Sequence, residues 1–246
     1  MMNDRDAIAR RIMIALDVAE ADAARTLLRR LEGIPCWMKV GMELFYAEGP
    51  AFVRELRRSG YAVFLDLKLH DIPNTVRGAA RSITRLGVDM FNVHAAGGAR
   101  MMEAALAGAN EALEETAAPR RPLIIAVTQL TSTDQKTLNE QIGIPGSVES
   151  AVLRYAELAR LAGLDGVVAS PLEVERIKES QGRQFLTVTP GIRPAGAAAG
   201  DQVRVMTPAE AFAAGTDFIV VGRPVTAAPD PRRALLDIID SAARHA

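Results

Sequence analysis

Among its 246 residues the sequence holds a single cysteine, Cys36. One thiol forms no internal disulfide, and this usage fits a reducing compartment. No run of about 18 or more apolar residues occurs, so the segment that a membrane-spanning helix requires is missing. The amino-terminal "MMNDRDAIARR" is short and charged and lacks the apolar core of a secretory signal. Neither sign of charge is in excess: 29 Lys and Arg face 30 Asp and Glu, for a formal net charge of -1. A general nucleic-acid or membrane-surface binder carries a lopsided basic balance, so both classes are disfavoured. His70, His94 and His245 show no metal-ligand spacing, and nothing selects Asp134 and Glu140 as cation ligands. Low-complexity tails, linkers and recognised short repeats are also missing, so no domain boundary is placed. These absences predict a soluble cytoplasmic protein forming one domain over residues 1–246.

What is present is a 49% hydrophobic composition arranged as a series. Short apolar runs rich in β-branched residues predict strands near Ile12–Asp17, Trp37–Gly41, Ala62–Lys68, Met90–His94, Leu123–Thr128, Gly166–Ser170, Phe185–Pro190 and Phe218–Gly222. Between them lie segments with apolar spacing of three and four, such as Ala23, Leu27, Leu28 and Leu31, or Val152, Leu153, Ala156, Leu158 and Ala159. Strict alternation of buried strand and helix implies right-handed βαβ units on a parallel sheet. Eight such units over this length favour closure into a TIM (β/α)8 barrel, with an open doubly wound sheet as the rival. Two connections are long, "QLTSTDQKTLNEQIGIPGS" after the fifth strand and "GIRPAGAAAGDQVRVM" after the seventh. The second, rich in Gly and Ala, is expected to be mobile. Both leave strand C-termini, where barrel active sites lie.

The third strand, "FLDLKLHDIPNTV", places charge inside an apolar run. Side chains alternate along a strand, so Asp66 and Lys68 project to one side while Leu65 and Leu67 pack under the helices. Asp71 follows on the loop. Similar reasoning applies to Asp17, at the end of "IMIALD", and to Lys39 in "WMKVG". The result is a ring of alternating charge: Asp17, Lys39, Asp66, Lys68 and Asp71. Each alone also reads as a solvated strand-end charge or part of a structural ion-pair network. As a cluster at a barrel mouth they suggest chemistry, because buried ion pairs are weak devices for stability. A lysine flanked by two carboxylates is held in its cationic form and suits general-acid work. At the end of the eighth strand, Gly222 and Arg223 stand where barrels often bind phosphate. Arg193 in "TPGIRP" and Gln202 in the long loop before it add to that end, although each also reads as an ordinary loop residue.

In order along the chain, "IALD", "KVG", "FLDLKLHDIPNTV", "VTQLTS", "TPGIRP", "DQVRVMTP" and "VVGRP" resemble the orotidine 5'-phosphate decarboxylase family. The sharpest element is the Asp-x-Lys-x-x-Asp spacing of Asp66, Lys68 and Asp71, and only the Ala-rich "PAGAAAGD" is individual. The resemblance implies decarboxylation of orotidine 5'-phosphate to uridine 5'-phosphate with neither metal nor cofactor. It implies Lys68 as proton donor to C6, with Asp66 and Asp71 holding it and crowding the departing carboxylate. Asp17 and Lys39 would hold the ribose hydroxyls, with Lys39 also joining the charge ring. Thr131 and Ser132 would lie near the pyrimidine, and Arg193, Gln202, Gly222 and Arg223 would grip the phosphate. Ile72, Thr75 and Pro190 fall among the implied substrate-binding positions. The resemblance further implies a homodimer in which Asp71 reaches the partner's site. Two alternatives remain: a magnesium-dependent ketogulonate- or hexulose-phosphate barrel, which shares the Asp-x-Lys-x-x-Asp strand, and a non-catalytic phosphate-binding barrel.

Overall fold

A computed structural model describes residues 4–116, 120–194 and 206–244. Its eight parallel strands are β1 (Ile12–Ala15), β2 (Trp37–Gly41), β3 (Val63–Leu69), β4 (Met90–His94), β5 (Leu123–Val127), β6 (Gly166–Val168), β7 (Leu186–Thr189) and β8 (Phe218–Val221). They pair in sequence order, and β1 closes on β8. The helices are α1 (Asp4–Ala9), α2 (Ala21–Leu31), α3 (Met42–Arg58), α4 (Pro73–Thr84), α5 (Ala99–Thr116), α6 (Val148–Leu161), α7 (Val174–Gln181), α8 (Pro208–Ala213), α9 (Arg223–Thr226) and α10 (Pro231–Ala243). The expected TIM barrel is the fold, and the open sheet is excluded by the β1–β8 pairing.

Strand alternation sorts the apolar residues into two cores. Met13, Ala15, Phe64, Met90, Ile125, Val188 and Val220 fill the barrel interior. Their neighbours in sequence, among them Ile14, Leu65, Phe91, Ile124 and Val221, face the helices in the larger outer core. Leu67 packs against that outer core, as expected for the face opposite Asp66.

Several expected boundaries shift. β1, β5, β6, β7 and β8 stop one or two residues early, and β3 runs one residue further, to Leu69. At the mouth the chain leaves the ladder as soon as local bonds replace it. Ser170, expected at the end of β6, instead caps the turn that follows, with Glu173 returning a bond to its N–H at 2.9 Å. In α2, Ala24 and not Ala23 lies on the buried face. The long connection after β5 is ordered by its own side chains and forms a π-helical turn over Thr137–Gln141. Asp134 accepts from the Thr137 N–H at 2.7 Å. The connection after β7 closes at its base through a bridge between Ile192 and Met206. Its centre, where mobility is expected, lies outside the described residues.

A short motif recurs at the opposite end of the barrel. Gly87-Val88-Asp89, Gly163-Leu164-Asp165 and Gly215-Thr216-Asp217 precede β4, β6 and β8, each glycine turning the chain with φ between 77 and 95°. Each aspartate accepts from a backbone N–H of the preceding strand: Val63 at 2.9 Å, Ile124 at 2.7 Å and Thr187 at 2.7 Å. Each also pairs with a cation, namely Arg57, Arg121 and Lys178. These carboxylates satisfy strand starts that have no ladder partner.

Candidate active site

Because the inner face repeats every two residues, the layer above the apolar interior is set by the strand ends. Above Ala15 comes Asp17, above Trp37 comes Lys39, and above Phe64 comes Asp66. These residues wall a cavity of about 650 Å³ at the C-terminal end of the barrel, within the range of about 300–1,000 Å³ common for small-molecule sites. Phe64, Val127, Val168 and Val220 give it an apolar floor.

Along one wall the charges form an unbroken chain. Lys39 Nζ donates to Asp17 Oδ1 at 2.9 Å and lies 3.4 Å from Asp66 Oδ2, while Lys68 Nζ lies 2.8 Å from Asp66 Oδ1. Lys39 is 7% exposed, and the Asp66 side chain is 13% exposed. Burial lowers the lysine's proton affinity, but Asp66 and Asp17 outweigh it and hold Lys39 above the ordinary lysine range. Burial likewise raises Asp66, yet Lys39, Lys68 and Asn92 together pull its carboxyl below the ordinary carboxylate range. Gly41 makes room for the chain: a Cβ there would lie 3.3 Å from both Asp17 Oδ1 and Lys39 Nζ.

Lys68 does not reach this wall by simple alternation. From Leu65 to Leu69 the strand takes four steps against two on β4, from Phe91 to Val93. Lys68 sits in that bulge with φ of 54°, alone among described non-glycine residues in having positive φ. For a residue with a Cβ this left-handed conformation costs about 1–2 kcal/mol. Its N–H, withdrawn from the ladder, donates to Asn92 Oδ1 at 2.8 Å, and Asn92 Nδ2 donates to Asp66 Oδ1 at 2.7 Å.

Thr131, Ser132, Pro190, Arg193, Gly222 and Arg223 line the remainder of the cavity. The Arg193 N–H donates to Met206 O at 3.0 Å, which ties this arginine to the base of the long connection. Gln202 lies outside the described residues. Asp71, Ile72 and Thr75 are exposed and are not part of the cavity lining in their own chain. Asp71 Oδ1 accepts from the adjacent Ile72 N–H at 2.6 Å.

Sequence reasoning passed over Asn92, Gln129 and Gly41. The period of two carries the signal for the first two: Met90, Asn92 and His94 share a face, as do Ile125, Val127 and Gln129. Gln129 is 9% exposed and lines the cavity. His70 and His94 face each other with ring centroids 5.5 Å apart. Burial, then His70 and Lys68, lower the proton affinity of His94. Among the described residues no cluster of three or more His, Cys, Asp or Glu is placed to hold a metal. No described helix is long and apolar enough to cross a membrane.

A wider hollow of about 880 Å³ opens at the other end, around Trp37, Tyr61 and Phe218. Two of its arginines are engaged in ion pairs, Arg25 with Glu55 at 2.7 Å and Arg120 with Asp89 at 3.4 Å. The mouth cavity, with its charge chain aimed inward, is the candidate site.

Comparison with known proteins gives the family. The orotidine 5'-phosphate decarboxylase from Moorella thermoacetica is 56% identical over 223 residues, 90% of this chain and 87% of that protein. The enzyme of the same name from Geobacillus thermodenitrificans is 53% identical over 219 residues, 89% of this chain and 91% of its own. The crystal structure of orotidine 5'-phosphate decarboxylase from Lactobacillus acidophilus superposes with a TM-score of 0.83 at 39% identity, covering 94% of this chain and 98% of that one. The family model described as orotidine 5'-phosphate decarboxylase / HUMPS matches residues 10–238. With a closed barrel, a charge chain at its mouth and relatives alike over nine-tenths of its length, the chain belongs to the orotidine 5'-phosphate decarboxylase / HUMPS family.

Proposed function

We propose that the mouth cavity binds orotidine 5'-phosphate and releases uridine 5'-phosphate and carbon dioxide. The observation that carries this reading is the chain Asp17–Lys39–Asp66–Lys68 along one wall of a cavity that Arg193 and Arg223 also line. Loss of carbon dioxide from C6 leaves an electron pair that the pyrimidine cannot fully delocalise. Fixed charge then has to stabilise it. The C6–carboxylate bond breaks, its electron pair stays on C6, and Lys68 Nζ–H supplies the proton that ends there. The electron pair of the broken bond passes to C6 as the carboxyl carbon leaves as carbon dioxide, so the redistribution is internal to the substrate and no electron acceptor is called for. Asp66, 2.8 Å from Lys68, anchors the donor and places negative charge beside the departing carboxylate.

Asp17 and Lys39 are assigned to the ribose hydroxyls, Thr131 and Ser132 to the pyrimidine, and Arg193, Gln202, Gly222 and Arg223 to the phosphate. Pro190 shapes the wall between base and phosphate. A phosphate grip remote from C6 supplies binding energy that can be used at the reacting carbon.

Asp71, Ile72 and Thr75 are assigned to the cavity of a second copy in a homodimer. Their exposure outside their own cavity supports this, as does the company they keep. Of the large apolar residues that are exposed, Met42, Tyr46, Ile72, Leu130, Ile142 and Leu172 follow the C-terminal ends of strands, and Leu161, at the end of α6, is the exception. Apolar surface gathered at one end marks an interaction face. The near-balanced charge supports a partner set of substrate and second copy, without nucleic acid or membrane. One barrel holding every strand supports a single domain over 1–246. Burial pushes the Cys36 thiol up to about 12, an inert thiol suited to the cytoplasm.

The magnesium-dependent sugar-phosphate reading is not favoured, because relatives at 53–56% identity over most of the chain carry the decarboxylase name. The same finding disfavours a non-catalytic barrel. The deciding assay follows the ultraviolet absorbance of orotidine 5'-phosphate with and without exhaustive EDTA. Equal turnover in both is expected. Turnover that EDTA removes and magnesium restores would overturn the metal-free step, and no turnover in either would overturn the decarboxylase.

A further inference from the structure

We propose that Asn92 is a positioning residue of this site, whose one carboxamide fixes the Asp66 carboxylate and the strained backbone of Lys68 together. The inference rests on the decarboxylase reading for its kinetic consequences and on geometry for its basis.

Asn92 is 1% exposed, on the inward face of β4 between Met90 and His94. A carboxamide buried so deeply is costly unless both its ends are bonded. Here chemistry dictates which end goes where. The Lys68 N–H can only donate, so the oxygen must face it, at 2.8 Å. The nitrogen is then turned to Asp66 Oδ1, a carboxylate that can only accept, at 2.7 Å. The same Oδ1 receives Lys68 Nζ at 2.8 Å. Asn92 thus holds both ends of the Asp66–Lys68 pair, one through the carboxylate and one through the main chain.

Both tethers are needed. The bulge in β3 removes the Lys68 N–H from the ladder and leaves Lys68 at φ of 54°. Without an acceptor at Asn92 that half-buried N–H would lose its bond, and the bulge would lose what offsets its strain. Relaxation toward ordinary extended backbone would swing Nζ away from Asp66. The carboxamide also adds no net charge, so Asp66 stays the counterion of Lys39 and Lys68. Asn92 does not line the cavity and touches no reacting atom.

The decisive substitution is Asn92→Asp, which keeps the shape and makes the outcome depend on one proton. Protonated, the introduced carboxyl reproduces both bonds: its carbonyl accepts from Lys68 N–H and its hydroxyl donates to Asp66 Oδ1. Ionised, it sets a second negative oxygen against Asp66, and like charges at that separation cannot both be held cheaply. The groups facing this point are Lys39 from β2 with Asp17 behind it, Lys68 and His70 from β3 and its exit, and His94 from β4. The inward positions of β5 and its exit, Ile125, Val127 and Gln129, carry no charge. Dividing each variant rate by the wild-type rate at the same pH removes the titration of these shared groups.

At pH 8 the Asn92→Asp kcat is expected about 100-fold below wild type, the scale of a misplacement of roughly 1 Å, with KM changed less than about threefold. The ratio should climb as pH falls toward 5. Asn92→Ser, which can satisfy only one of the two bonds, should show a deficit that does not vary with pH. Melting midpoints give a second readout that needs no turnover: the Asn92→Asp deficit against wild type should shrink over the same pH range. A pH-independent Asn92→Asp ratio, or wild-type kcat in Asn92→Ser, overturns the proposal. If Asn92→Asp does not fold at any pH, the Asn92→Ser kcat decides. If wild type itself leaves orotidine 5'-phosphate unchanged, the decarboxylase reading falls and the melting profile still decides the positioning claim.

Discussion

Replacing Asp66 by Asn removes one negative charge from between two lysines while keeping the side chain's shape. Asp66 meets Lys68 Nζ at 2.8 Å, Lys39 Nζ at 3.4 Å and Asn92 Nδ2 at 2.7 Å. Taking one partner from a buried ion pair typically costs about 3–5 kcal/mol, because the other is left uncompensated. Lys39 keeps Asp17 at 2.9 Å, and the Lys68 side chain is 25% exposed, so the lower end of that range, about 3 kcal/mol, applies. For a protein of this size each kcal/mol moves the melting midpoint by about 2–4 °C, which gives a fall of about 6–12 °C at pH 7. The direction with pH is also set. Asp66 in the folded protein lies below its ordinary range. Its contribution is therefore complete above the unfolded-chain value of about 3.9 and is lost as pH falls through the depressed folded value. Lys39 lies above its ordinary range, so its contribution is complete below the unfolded lysine value of about 10.4 and is lost only at higher pH. Melting curves of wild type and Asp66→Asn from pH 9 down to pH 2 should show a wide gap that closes at the acid end. The variant's kcat should fall by at least about 100-fold, the scale of losing a fixed catalytic charge. A gap that is unchanged at the acid end, or below about 1 °C at neutral pH on the size scaling used above, would refute the account of Asp66 as a charged strut.

The shared-site assignment is checked by mixing. Lys68→Ala and Asp71→Ala should each be nearly inactive alone, and co-refolding in equal amounts should restore about a quarter of wild-type activity, because half the dimers are mixed and one site in two is whole; no recovery in mixed dimers confirmed by mass would return Asp71 to its own chain. Arg223→Ala should raise KM for the phosphorylated substrate much more than for the nucleoside lacking phosphate, and equal losses on both would place Arg223 away from the phosphate. At the far end of the barrel, Asp217→Ala strips the carboxylate from Lys178 Nζ at 2.6 Å, leaving it the Phe185 and Arg183 carbonyls, and removes the acceptor of Thr187 N–H at 2.7 Å. It should cost about 3–5 kcal/mol in denaturant unfolding while kcat per folded molecule stays within about twofold; a large loss of kcat in the folded variant would contradict the separation of stability from chemistry along the barrel axis.

The barrel was legible in the sequence because its two periodicities are local. Runs such as Met90–His94 and the spacing in α2 each report burial within a few residues, and eight alternations of the two leave few ways to close. The wall of charge was legible for the same reason: Asp17, Lys39 and Asp66 follow inward-facing residues by a step of two. The Gly-x-Asp motif before β4, β6 and β8 was equally present in the letters, but its meaning lies in bonds to a neighbouring strand 26 to 41 residues away. Tertiary structure alone decided where Lys68 points. Alternation placed it beside Asp66 on paper, yet the strand carries two extra residues there, and a left-handed turn brings Nζ to the carboxylate. A bulge is a property of two strands in register, so one strand's pattern could not announce it. The same holds for Asn92, which looks in sequence like one polar residue in an apolar strand. Only the pairing of β3 with β4 sets its carboxamide between a carboxylate and an orphaned N–H. Asp71 shows the remaining division: its spacing from Lys68 is written in the chain, but only the folded barrel turns it out of its own cavity and toward the mouth-end surface.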